Sequence, residues 1–172
     1  MKCPHGGQLP VVIGVNANNC MFPIAYAVIE GEIKSSWTWF LEMLIEDLEI
    51  NNQEQWTIIS DKQKGLVPAS FELLPRTEHK FCVMHIYANF KTVGYTGKVY
   101  KEMLWNAAMS SNVPHFVNAM KEMKDYKEYA YKWFKDKPPT YLSRSHFSTM
   151  SRWEMLLNYI CENFNKCILD AR

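Results

Sequence analysis

The first ninety residues switch repeatedly between a two-residue and a 3.6-residue hydrophobic period, and no other feature constrains the fold as tightly. Two β-type runs, "LPVVIGVNANN" and "MFPIAYAVIEGE", flank Asn18-Asn19. Val11, Ile13 and Val15 alternate along the first run; Ile24, Tyr26 and Val28 alternate along the second. Asn tolerates left-handed backbone, so the pair reads as an antiparallel hairpin. Pro23 has no N–H to donate and marks an accessible edge near the start of the second strand. In "KSSWTWFLEMLIEDLEI", Trp37, Phe40, Leu41, Leu44, Ile45 and Leu48 fall on one helical stripe, with Ser35 or Ser36 available as the N-cap. A short buried strand is expected over 56–60, then a helix from about 63 to 74 that stops at Pro75. A fourth β-like stretch, "EHKFCVM", leads into "HIYANF". Strands alternating with helices predict an α/β sheet domain.

Beyond residue 90 the strand pattern ends. Aromatic, Met and Lys residues recur at helical spacing through "KVYKEMLWNAAM", "VPHFVNAMKEM" and "KEYAYKWFKD". "KPPTYLSRSHFST" is a Pro/Ser-rich connection, and an amphipathic helix is expected over roughly 152–170. The expected plan is one domain over 1–172: an α/β core over 1–90, a helical insertion over 91–140, and a linker with a terminal helix over 141–172. At 172 residues and 48% hydrophobic, the chain can bury one sizeable core.

Net charge is +1, but it is unevenly spread. Residues 1–86 hold six Lys/Arg against ten Asp/Glu, a balance of −4; residues 87–172 hold 13 against eight, a balance of +5. A basic half is compatible with a polyanion, although solvated helix faces are the commoner cause. Five cysteines, odd in number and without framework spacing, suit a reduced intracellular chain. No apolar stretch reaches the ~18 to 20 residues of a membrane span, and "MKCPHGGQ" has no apolar signal region. No G-x-S-x-G, P-loop or G-x-G-x-x-G supports an unrelated α/β hydrolytic enzyme.

Asp61 follows the strand at 56–60, and open α/β sheets bind ligands beyond the carboxyl ends of their strands. The alternative is that Asp61 caps the helix beginning near Gln63. Asn158, Glu162 and Asn165 form a polar stripe beside the apolar face of the last helix, which suits either a cleft or a solvated flank. Cys82 and His85 give C-x-x-H, half of a zinc site at most, since a structural site takes four ligands at paired spacings. The plain alternative is a buried Cys at a sheet end and a His hydrogen-bonded at a helix start. Paired carboxylates suit Mg²⁺ and phosphodiester chemistry, but that requires a further carboxylate, and residues 8–29 contain no Asp or Glu. Glu30 and Glu32 follow the second strand, where a turn role is expected.

Taken together and in order, "GGQLPVVIGVNANNCMFPIAYAVIEGE", "SWTWFLEML", "WTIISDKQKGL", "EHKFCVMHIYANF", "HFST" and "ENFNKCILDAR" resemble plant Mutator-like element (MULE) transposases over nearly the whole chain. The resemblance implies an RNase H-like mixed sheet with an all-helical insertion before the last helix. It implies a DDE carboxylate triad that binds Mg²⁺ or Mn²⁺ and cuts and joins DNA in the nucleus. Asp61 in "ISDKQKG" matches the second acidic residue and Glu162 in "CENFN" the third, and both would be catalytic and metal-binding. Cys82 and His85 match the family's C-x-x-H signature, in a structural or site-supporting role. Lys62 and Lys64 are expected to contact DNA phosphates. The first Asp belongs on an initial strand upstream of the "K-x-x-x-G-G-Q" that stands here as Lys2 to Gln8. The expectation is therefore an N-terminally truncated, marginal domain, inactive alone. "RWEMLLNYICEN" also departs from the family: it lacks the usual Cys-Asp after the basic residue and carries Tyr159 and Cys161 where small polar residues are common. The expected partners are DNA and either a second copy or a full-length transposase. The rival expectation is a domesticated, non-catalytic nuclear module that binds DNA or protein.

Overall fold

The computed structural model describes residues 7–15, 18 and 20–147. They form a mixed α/β fold with four strands and six α-helices among the described residues, in the expected order of hairpin, helix, strand, helix, strand, then helices. The last expected helix, with Asn158, Glu162 and Asn165, lies outside the described residues. The described chain groups into two compact units: residues 7–53 with 62–76, and residues 54–61 with 77–147.

In the first unit, strands β1 (Val11–Val15) and β2 (Met21–Tyr26) pair antiparallel. A bridge between Gln8 and Ile29 lengthens the ladder, with Gln8 N–H donating to Ile29 at 2.7 Å and Ile29 N–H returning at 2.9 Å. The register passes from Val12↔Ala25 to Ile13↔Pro23, leaving Ile24 as the extra residue of a β-bulge. A bulge is one of the few places where a strand tolerates proline, because the ladder is already interrupted there. It also resets the alternation expected along this strand. Tyr26 and Val28 are 66% and 67% exposed, while Ile24, Ala25 and Ala27 all pack toward the core and Ile29 is buried.

That core lies between helices α1 (Lys34–Asp47) and α2 (Leu66–Leu73). Trp37, Phe40, Leu41 and Leu44 present the expected stripe to Leu66 and Ala69, with the Trp37 and Phe40 rings edge to face at 5.9 Å. The N-cap of α1 is Ile33 in extended conformation, with no side-chain cap; Ser35 and Ser36 lie inside the first turn. Helix α1 begins earlier than the serines suggest because its lead-in is held in place: Gln63 Nε2 donates to Glu32 Oε1 at 3.0 Å. Gly65, at the start of α2, is packed against the same lead-in. A Cβ there would stand 2.5 Å from the Glu32 carbonyl oxygen and 2.7 Å from the Ile33 carbonyl carbon.

The second unit contains β3 (Thr57–Ser60) and β4 (Glu78–Phe81), which run parallel with Thr57 opposite Glu78 and Ser60 opposite Phe81. Four helices follow: α3 (Val83–Thr92), α4 (Lys98–Met109), α5 (Val113–Tyr126) and α6 (Glu128–Lys135). Phe90, Leu104, Ala107, Met123, Ala130 and Phe134 are almost fully buried among them. Phe90 is ringed by aromatics, with Tyr95 stacked at 4.5 Å, Trp133 tilted at 4.7 Å and Tyr100 edge-on at 5.9 Å. Asn112 caps α5 by accepting the His115 N–H at 2.9 Å, with Pro114 in the first turn where its missing donor is harmless. The Pro/Ser-rich connection takes up two single 3₁₀ turns, Pro139–Tyr141 and Arg144–His146. Buried Ser143 fastens it to α4 by donating to the Ala107 carbonyl at 2.8 Å.

Candidate functional site

The strand "TIIS" ends at buried Ser60, and the ladder runs one bond further, from Cys82 N–H to the Ser60 carbonyl at 2.9 Å. Asp61 comes next, half-buried at the carboxyl end of β3. Because β3 and β4 are parallel, their carboxyl ends lie on the same edge of the sheet. Carrying the register forward one residue sets Asp61 beside Cys82, the N-cap of α3. His85 stands half-buried in the first turn of that helix. Asp61 and the C-x-x-H pair are thus gathered at one end of the parallel pair, the position where sheets of this kind hold ligands.

Asp61 is not the N-cap of α2: the helix starts at Leu66 and its N-cap is Gly65. The chain from Asp61 to Gly65 is instead an irregular turn. Within it Lys62 and Lys64 are exposed and Gln63 is half-buried on Glu32. Glu32, in the bend before α1, is the acceptor of that bond.

Sequence reasoning missed Lys80. Its side chain is fully buried on β4, with Nζ 3.4 Å from the Glu78 carboxylate and 3.8 Å from the centre of the Phe147 ring. Thr57 Oγ1 donates to the same carboxylate at 3.3 Å across the parallel pair. Period-two geometry puts Glu78, Lys80 and Cys82 on one face of the sheet, the face Asp61 shares by register. Burial pulls the Lys80 ammonium below its ordinary value; the Glu78 carboxylate opposes that shift and does not cancel it. Glu78 and Lys80 standing two residues apart in the β-type run "EHKFCVM" was the available signal. Phe147, from the "HFST" stretch, is the ring that covers the ammonium.

Among the described residues no three His, Cys, Asp or Glu side chains gather closely enough to hold a metal ion. Asp61 brings one carboxylate to its end of the sheet; Glu162, the other candidate, lies outside the described residues. No described helix is long and apolar enough to cross a membrane.

No curated protein matches this sequence. The family profile of the MULE transposase domain matches residues 2–89, a span that takes in the hairpin, α1, β3 with Asp61, α2, β4 and the C-x-x-H pair. With just over half its length matched, and the matched segment carrying the strand-end Asp61, the chain belongs to the MULE transposase domain family.

Proposed function

We propose that the chain is a transposase catalytic domain of RNase H-like descent that engages DNA in the nucleus. Its acidic positions are Asp61 and Glu162. The observation that carries this reading is the half-buried Asp61 at the carboxyl end of β3, inside the matched family segment. Asp61 and Glu162 would hold Mg²⁺ or Mn²⁺, whose chemistry is to activate an attacking oxygen and stabilise a leaving one at a phosphodiester. Lys62 and Lys64, exposed in the turn that follows Asp61, are suited to backbone phosphates. Cys82 and His85 would support the site rather than hold metal, Cys82 being buried at the start of α3. Two carboxylates are one fewer than a DDE triad, so this chain alone is proposed to bind DNA without cutting it.

Two measurements test the proposal. Mn²⁺ binding, followed by electron paramagnetic resonance, is expected to weaken at least tenfold in Asp61→Asn and in Glu162→Gln; binding indifferent to both overturns the metal assignment. Incubation with terminal-repeat duplex DNA and Mg²⁺ or Mn²⁺ is expected to yield no nicked product. Cleavage that Asp61→Asn abolishes would instead show a competent enzyme. The second reading, a non-catalytic DNA-binding module, is favoured by the basic helices of the second unit. DNA binding unchanged in Asp61→Asn and Glu162→Gln would support it.

A further inference from the structure

The two units differ in charge. The described part of the first carries four Lys/Arg against seven Asp/Glu, a balance of −3. Residues 83–147, the helical part of the second, carry ten against five, a balance of +5. Residues 121–137, where α5 meets α6, hold six of those ten Lys/Arg, against four Asp/Glu. Lys124 from α5 and Lys135 from α6 converge on a single ring, with Nζ 5.9 and 5.8 Å from the centre of Tyr131. One turn away along α6, Lys132 lies 5.6 Å from the ring centre of Tyr129, which is 69% exposed. Ala130 and Phe134 take the inward face of the same helix, so burial anchors it and leaves Glu128, Tyr129, Lys132 and Lys135 exposed. Glu128 sits 2.9 Å from Lys132 and draws on part of its charge.

We propose that this α5–α6 face is a docking surface for the phosphate backbone of duplex DNA. Lys124 and Lys135 would contact phosphates, with Tyr131 as the aromatic floor beneath both cations. Charge complementarity identifies the partner: cations brought from two helices to one ring match a regular row of phosphates better than they match a flexible acidic peptide. The assignment rests on the reading that the chain acts on DNA. It adds contact residues other than Lys62 and Lys64.

The test is fluorescence anisotropy of the full chain with a labelled duplex of arbitrary sequence, titrated over a range of salt. Each phosphate contact contributes about 0.9 to the slope of log affinity against log salt. The double variant Lys124→Gln/Lys135→Gln is expected to lower that slope by about 2 and to weaken binding roughly tenfold at low salt. Glu128→Gln, which releases Lys132, is expected to tighten binding by about threefold. Lys34→Gln, in the acidic unit, is expected to leave both quantities unchanged. Circular dichroism of each variant confirms that the helices are intact. An unaltered slope in the double variant overturns the surface while leaving the Asp61 reading intact. A lowered slope beside Mn²⁺ binding that ignores Asp61 and Glu162 upholds the surface while that reading fails. Poly-glutamate competing as well as DNA at equal charge overturns the choice of partner.

Discussion

The fully buried ammonium of Lys80 lies 3.4 Å from the Glu78 carboxylate, two residues back along β4, and under the ring of Phe147. A charge taken out of water needs a counter-charge, and breaking a buried pair by removing one partner costs several kcal/mol. Glu78→Gln is therefore expected to destabilise the protein by about 3 kcal/mol, read as a shift of the urea midpoint at neutral pH.

The same pair predicts a pH dependence. Burial sets the folded-state value for Lys80 below its ordinary 10.5, so between those two values the unfolded chain holds more protons than the folded one. Stability contributed by this group therefore rises as pH climbs through the folded-state value toward 10.5, and the burial penalty is fully present below it. Lys80→Met is expected to flatten that rise relative to wild type. In Glu78→Gln burial is unopposed by the carboxylate, so the rise is expected to begin at lower pH. Chemical unfolding at half-unit pH steps checks both.

Gly65→Ala is expected to cost roughly 3 kcal/mol, the upper end of overpacking penalties. The added Cβ meets backbone, the Glu32 oxygen at 2.5 Å, and backbone cannot swing aside as a side chain can. Thermal unfolding measures it. A loss below about 0.5 kcal/mol would show that the lead-in to α1 is not held against Gly65.

Asn112→Ala removes the acceptor for the His115 N–H at the start of α5 and is expected to cost about 1 kcal/mol. Asn112→Asp, which retains an acceptor at the positive end of the helix, is expected to be neutral or slightly stabilising. Urea midpoints of the two variants separate capping from a general surface effect.

Phe90→Ala empties a fully buried position ringed by Tyr95, Tyr100 and Trp133. The expected loss is about 3 to 5 kcal/mol, accompanied by a change in the near-ultraviolet circular dichroism of the aromatic cluster.

Local pattern carried much of this fold. The order of strands and helices was legible because each element is set by a period of two or 3.6 over a few residues. The stripe Trp37, Phe40, Leu41 and Leu44 was legible for the same reason. The position of Asp61 just after a strand was readable too, but its place outside the N-cap of α2 was not. That depended on α2 starting at Leu66, where Gly65 alone fits against Glu32 and Ile33. Ser35 and Ser36 have good capping chemistry and still sit inside α1, because a bond from Gln63, 31 residues away, holds the lead-in.

By itself, then, the sequence determined the α/β class, the hairpin, the run of helices after residue 90 and the family. These follow from local periodicity and from an ordered set of motifs. Tertiary structure decided the bulge at Ile24, the burial of Lys80 beneath Phe147, and the parallel pairing that sets Asp61 at the same sheet end as Cys82 and His85. Each of these depends on which distant residues share a register or a contact. A short-range pattern carries no term for the free energy of bringing such residues together.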